Sequence, residues 1–391
     1  MTVELDTRGL QLGDRLIGRI EGENPGPLLV CTAALHGNEP AGVAALRRVC
    51  RALGERRDLI RGEFLALAGN LPALARGERA IDRDLNRHWK PDRILTLRNG
   101  HPPDPAIRED RELVELLTAI EAALSRARAE AYFVDLHTTS GESAAFATVG
   151  DTLRNREFAS QLRSPLILGL EEHIEGTLLE YLNGLGYITM GFEGGRHEDP
   201  ASIDLLEAGV WAALAASDIL LNGHMGAEVE RAQHLLEQNR RGLPRVFEVR
   251  YRHPVHPEDR FRMHPGYASF QRLTKGELVA VDRSGEIRAP LPGRILMPLY
   301  QTQGDDGFFV IREFRPFWLT LSRLLRHTRA DQLLRVLPGV RKHPTLADTL
   351  VIDVRVARFL ALQIFHLLGY RKQKQVGRVL LMSRRNESRK A

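Results

Sequence analysis

From Pro27 to about Gly223, short and nearly unbroken apolar runs alternate with amphipathic stretches. A run of strand length that is apolar on both faces fits a sheet covered by helices on each side, so the pattern points to an α/β fold around a largely parallel sheet. PLLVCTAAL (Pro27 to Leu35) reads as a buried strand, and AGVAALRRVCRAL (Ala41 to Leu53) has helical spacing after Pro40. EFLALAGN is the next strand; a helix follows from about Arg108 to Ala129, then the strand AYFVDLH ending at His137. PLILGLEE and YITMGFEGG are later strands, and a helix from Ala201 to Leu221 closes the unit. The chemically rich residues therefore fall at strand ends, where open α/β sheets build their sites.

At 391 residues the chain exceeds one ordinary domain, and 43% hydrophobic with 27% charged residues suits a folded globular protein. Three segments are expected: a catalytic domain over 1–225, a small all-β, barrel-like domain over 245–315 covering the site, and a helical, basic extension over 316–391. The β domain is read from short period-2 runs such as VFEVRYRHP and GFFVIREF between Gly, Pro and Asp. The extension is read from helix-like spacing in FWLTLSRLLRHTRADQLLRVL and TLADTLVIDVRVARFLALQIFHLLGY.

The first residues lack a basic region followed by an apolar stretch, and no apolar run reaches membrane-spanning length. A cytoplasmic protein without a transmembrane segment is expected. Two cysteines, Cys31 and Cys50, exclude a zinc–thiolate site by count and read as small buried side chains. From Arg371 onward eight Lys/Arg face one acid, Glu387, so the tail carries +7 and the remainder −2 of the net +5. Basicity thus describes an appendage, and nucleic acid is not an expected partner.

LHGNEPAG places His36 and Glu39 three residues apart between a strand and a helix. One turn can bring an imidazole and a carboxylate of that spacing to one ion at about 2.0–2.2 Å. DLHTTSG supplies His137 at another strand end, two residues after Asp135. Two histidines and a glutamate leave a fourth position open, the arrangement of catalytic zinc, which lowers the pKa of its water to about 7.

LHGNEPAG, NLPALARGERAIDRDLNR, DLHTTSG and GFEGG, in this order and at these separations, resemble the succinylglutamate desuccinylase and aspartoacylase family, a branch of the zinc carboxypeptidase fold. The resemblance spans Pro27 to about Gly195 and continues more loosely to Glu313. It implies a carboxypeptidase-like α/β domain followed by a small β-barrel domain, and one zinc per chain on His36, Glu39 and His137. It further implies Glu193 as general base and then acid, Arg79 as the cation that stabilises the oxyanion, and Asn86 with Arg87 as the grip on the carboxylate of the amino-acid portion. The chemistry agrees: an oxyanion wants a fixed cation, and a planar carboxylate suits a guanidinium fork beside an amide.

The expected reaction is hydrolysis of an amide or ester of an N-acyl amino acid-like small molecule; a homo-oligomer is compatible with it. Two alternatives stand beside it: a metallocarboxypeptidase acting on peptides or cell-wall fragments, and a non-catalytic binding module using the basic extension. Where the family carries an arginine for a second substrate carboxylate, this chain has Asn183, so neutral or apolar groups are expected to be preferred to dicarboxylates. Tyr300 is the expected β-domain residue closing the site. Glu171, Glu172 and His173 read as a solvated loop near the pocket mouth, and His253, His256 and His264 as exposed turns beside prolines.

Overall fold

The computed structural model describes residues 15–385 apart from 100–103, 105, 222–225, 329–333, 335–338, 345, 347, 354–360 and 378. The extreme N-terminus and the last residues of the basic tail, on which the leader and tail readings rest, lie outside the described residues. Among those described, no helix is long and apolar enough to cross a membrane.

Strands β1 (Leu16–Glu21), β2 (Asn24–Ala33), β3 (Arg61–Ala68), β4 (Ala131–Thr139), β5 (Phe146–Val149), β6 (Leu166–Leu168), β7 (Ile188–Arg196) and β8 (Val246–Pro254) belong to one sheet. Its centre, β3-β2-β4-β7, is parallel. Alternate residues of β2 explain the two covered faces. Leu29 and Cys31 pack with the helices Ala41–Gly54 and Ala201–Ala216, while Leu28 and Val30 pack with Arg108–Arg126 and Leu178–Gly184. Period-2 side-chain alternation between two apolar layers is what the continuous apolar runs require. Register then positions the chemistry: His137 on β4 lies directly beside Glu193 on β7.

Beyond β8, strands β9 (Arg262–Met263), β10 (Arg272–Leu273), β11 (Leu278–Asp282), β12 (Gly285–Arg288), β13 (Gly293–Leu296) and β14 (Asp306–Glu313) follow. Here the expectation of a barrel-like unit is refined. β14, β13 and β10 continue the catalytic sheet through β8 to eleven strands, and only β12-β11-β9 form a separate small sheet.

The segment after Arg315 also differs from a purely helical extension. It contains the helices Pro316–His327 and Ala361–Leu367, and in addition a four-stranded antiparallel sheet made of β15 (Val340–Lys342), β16 (Thr349–Asp353), β17 (Tyr370–Val376) and β18 (Val379–Arg384), in the order β15-β16-β18-β17. Leu350, Ile352, Phe365 and Met382 form its own apolar core. Nor are its arginines all solvated. Arg326 donates to Asp151 Oδ2 at 3.0 Å, Arg371 pairs with the same carboxylate, and Arg156 completes the cluster at 2.8 Å. All four side chains are buried.

Three guanidinium groups around one carboxylate make Asp151 the anchor of the C-terminal unit. Burial alone would raise its pKa, but the three arginines hold it well below the ordinary carboxylate value. Its stabilising contribution is therefore complete above the unfolded pKa of about 3.9 and is lost only as pH falls through the lower folded value. Asp151→Ala removes the carboxylate that three buried guanidinium groups share and is expected to cost about 3–5 kcal/mol at neutral pH. Urea unfolding measures this, and an unchanged midpoint would refute the anchoring role.

Candidate metal centre and active site

The turn after β2 carries His36 and Glu39 on a backbone that tolerates no side chain at Gly37: a Cβ there would lie 2.0 Å from the carbonyl carbon of Ala73. This close approach, with Gly37 N donating to the Arg79 carbonyl at 3.2 Å, docks the turn on the loop that carries Arg79. His36 and His137 each turn Nδ1 toward Glu39, His36 to Oε1 at 2.8 Å and His137 to Oε2 at 3.0 Å. All three side chains are buried. One ligand atom from each lies within 4.8 Å of the others, the one such grouping of three found among the described residues.

The far ring nitrogens are held by further carboxylates. His137 Nε2 meets Asp135 Oδ2 at 2.7 Å, and Asp135 accepts from Thr32 Oγ1 at 2.7 Å. His36 Nε2 meets Asp84 Oδ1 at 3.2 Å. Carboxylates on the outer nitrogens of histidines whose inner nitrogens converge are the arrangement that orients imidazoles for a metal. Burial opposes the charge on Glu39, yet the two histidines hold it well below its ordinary pKa, so the centre presents an anionic oxygen. The donor set and its orientation fit a divalent cation.

Glu193 is buried, and among the described residues its Oε2 has no hydrogen-bond partner. Burial pushes its carboxyl up to about 8; Glu39 and Asp135 add to this, and His137 and Arg79 oppose it. It is a buried titratable group beside the centre.

Arg79 is largely but not fully buried and is fixed by Asp84, with Nη2 at 2.8 Å and Nε at 3.2 Å from Oδ2. Its Nη1 comes within 3.9 Å of Glu39. Asp84 also accepts from Asn86 N at 2.8 Å, so one carboxylate ties Arg79, His36 and the Asn86 turn together. Asn86 Oδ1 accepts from Leu178 N at 2.9 Å, and Arg87 reaches Asp306 at 3.2 Å. His36, Glu39, Arg79, Asn86, Arg87, His137 and Glu193 all line one pocket.

Tyr300 is not among the residues lining it. Its hydroxyl donates to His264 O at 2.8 Å and accepts from Tyr267 N at 2.9 Å, and the side chain is 39% exposed. The next residue, Gln301, lines the pocket, accepting from Asn38 at 2.9 Å and facing His197 Nε2 at 3.2 Å. Gln301, not Tyr300, is the residue of this pair that lines the pocket.

Glu171 and Glu172 are likewise not solvated: both are buried, and Glu171 lines the pocket. Asn183 is buried away from the pocket lining, accepting from Arg385 at 3.3 Å and donating to Tyr187 O at 3.2 Å. His253 stacks on Phe308 with centroids 5.2 Å apart, a packing role. Sequence reading missed Asp84, although it stands inside the quoted DRDLNR motif; Thr148, Asp306 and Gln301 carry no local signal, because only the tertiary fold brings them to the pocket.

Residues 25–214 match the family model described as the succinylglutamate desuccinylase/aspartoacylase catalytic domain. The chain is 32% identical over 110 residues to succinylglutamate desuccinylase of Pseudomonas paraeruginosa, a match spanning 28% of this chain and 30% of that protein. It is 25% identical over 284 residues to the Pseudomonas aeruginosa enzyme of the same name, spanning 69% of this chain and 79% of the relative. The crystal structure of a succinylglutamate desuccinylase/aspartoacylase from Rhodobacter sphaeroides superposes with a TM-score of 0.56 at 17% identity, covering 77% of this chain and 88% of that one. That likeness establishes the fold. Residues 25–214 thus carry a domain of the succinylglutamate desuccinylase/aspartoacylase catalytic type.

Proposed function

We propose that this protein is a zinc-dependent hydrolase that cleaves an amide or ester bond of an N-acyl amino acid-like small molecule. The observation that carries the reading is the register of β4 against β7, which sets Glu193 directly beside His137 where His36 and Glu39 converge.

His36, Glu39 and His137 would hold one zinc ion. The ion supplies Lewis acidity, lowering the pKa of a water to about 7 and polarising a carbonyl. Glu193 removes a proton from the attacking water and returns it to the departing amine; its unpartnered Oε2 is free to do so. Arg79, rigid on Asp84, stabilises the negative charge that develops on the carbonyl oxygen. Asn86 and Arg87 orient the amino-acid carboxylate. Arg87 exchanges its contact with Asp306 for that carboxylate as substrate enters.

Turnover of acyl amino acids and of short peptides with free C-termini, before and after chelation and zinc re-addition, tests this. Loss on chelation and return with zinc on the acyl amino acids is expected. Turnover untouched by a chelator that has removed all metal would overturn it, and preference for the peptides would favour a carboxypeptidase instead.

A further inference from the structure

The pocket continues past Glu193 into a recess that none of the residues assigned above explains. Thr148, Leu170, Glu171, Thr177, Leu179 and Gly191 line it. Thr177 and Leu179 flank Leu178, whose N–H holds Asn86, so the recess adjoins the carboxylate grip. A side chain on the amino acid held there would run toward Glu171.

Glu171 is only 9% exposed, and its one side-chain hydrogen bond among the described residues is a long one, from Thr148 Oγ1 at 3.4 Å. It makes no ion pair among them. Arg385 lies nearby but is matched by Glu172 at 3.2 Å, and otherwise reaches Asn183 and the Glu171 backbone carbonyl, not its carboxylate. A glycine at 191 keeps the space above Glu171 open: a Cβ there would lie 2.5 Å from Thr148 Oγ1 and 3.9 Å from Glu171 Oε1.

A buried carboxyl with no ion pair among the described residues, facing a cavity, is costly unless a ligand completes it. Resting on the hydrolase reading above, we propose that Glu171 sets the substrate class: the recess takes an amino-acid side chain ending in an ammonium or guanidinium group. Burial pushes the Glu171 carboxyl up to about 7 against the pull of Arg385, and an arriving cation favours its ionised form. A terminal carboxylate would instead face the Glu171 carboxyl, which turns the expectation of neutral groups drawn from Asn183 into one of cationic groups.

The test compares zinc-loaded wild type with Glu171→Gln on the Nα-acetyl derivatives of ornithine, lysine, norvaline, norleucine and glutamate. It is paired with calorimetric binding of the free amino acids. Wild type should favour the ornithine or lysine compound over its neutral counterpart by about tenfold or more in kcat/KM, the scale of one charge-assisted contact. Glu171→Gln should erase that preference while leaving the neutral substrates within about threefold. An equal fall on all substrates would mark Glu171 as structural, and best turnover of the glutamate compound would also overturn the proposal. Hydrolysis of neutral substrates with no Glu171-dependent preference sinks this inference and leaves the hydrolase reading standing. Absence of any turnover, with lysine binding still lost in Glu171→Gln, does the reverse.

Discussion

Glu193→Gln is expected to lower kcat on an N-acyl amino acid by about 10²–10⁴-fold, the range of a single general acid–base group. Glutamine keeps the shape and burial of the side chain but can neither accept the proton of the attacking water nor carry it to the amine. Because Glu193 Oε2 has no hydrogen-bond partner among the described residues, the substitution breaks no hydrogen bond seen at that atom. Zinc content and melting temperature should therefore stay at wild-type values, since Glu193 stands beside the three converging ligands and is not one of them. Full turnover in this variant would remove Glu193 from the mechanism, and loss of zinc would recast it as a ligand.

Arg79→Ala should lower kcat by about 10²–10³-fold with a much smaller effect on KM, the signature of an interaction realised as oxyanion charge develops. A confounding route exists, because Arg79 also holds Asp84, which orients His36. Measuring zinc affinity in the same variant separates the two. Retained affinity with lost kcat supports the oxyanion role; a fall in kcat that tracks zinc loss and vanishes at saturating zinc would assign Arg79 to positioning His36. Arg79→Lys should recover only part of the rate, since an ammonium cannot hold Asp84 through two nitrogens while presenting a third to substrate.

The convergence of His36, His137 and Glu193 was legible in the sequence because each follows or ends an apolar run. A buried parallel strand fixes where its last residue emerges, so His36, His137 and Glu193 could be assigned to one crevice before their distances were known. Glu171 was misread for the opposite reason. An acidic pair before a histidine resembles a solvated loop, and only the fold brings Thr148 and Gly191 over it and Arg385 from 214 residues away behind it. The C-terminal sheet was hidden in the same way. TLVID lies within a stretch whose apolar spacing also satisfies a helix, and the choice is made by antiparallel pairing of β16 with β18, about thirty residues on. The strands after β8 gave the right local structure but not their place, since edge-to-edge continuation of a sheet leaves no periodic mark.

The central claim is a zinc ion held by His36, Glu39 and His137. Metal content per chain, measured after zinc loading and dialysis on wild type and on a His36→Ala/His137→Ala double variant of verified fold, tests it most directly. One zinc per chain in the wild type and close to none in the variant is the expected result. Equal zinc in both proteins, or none in the folded wild type, would contradict it.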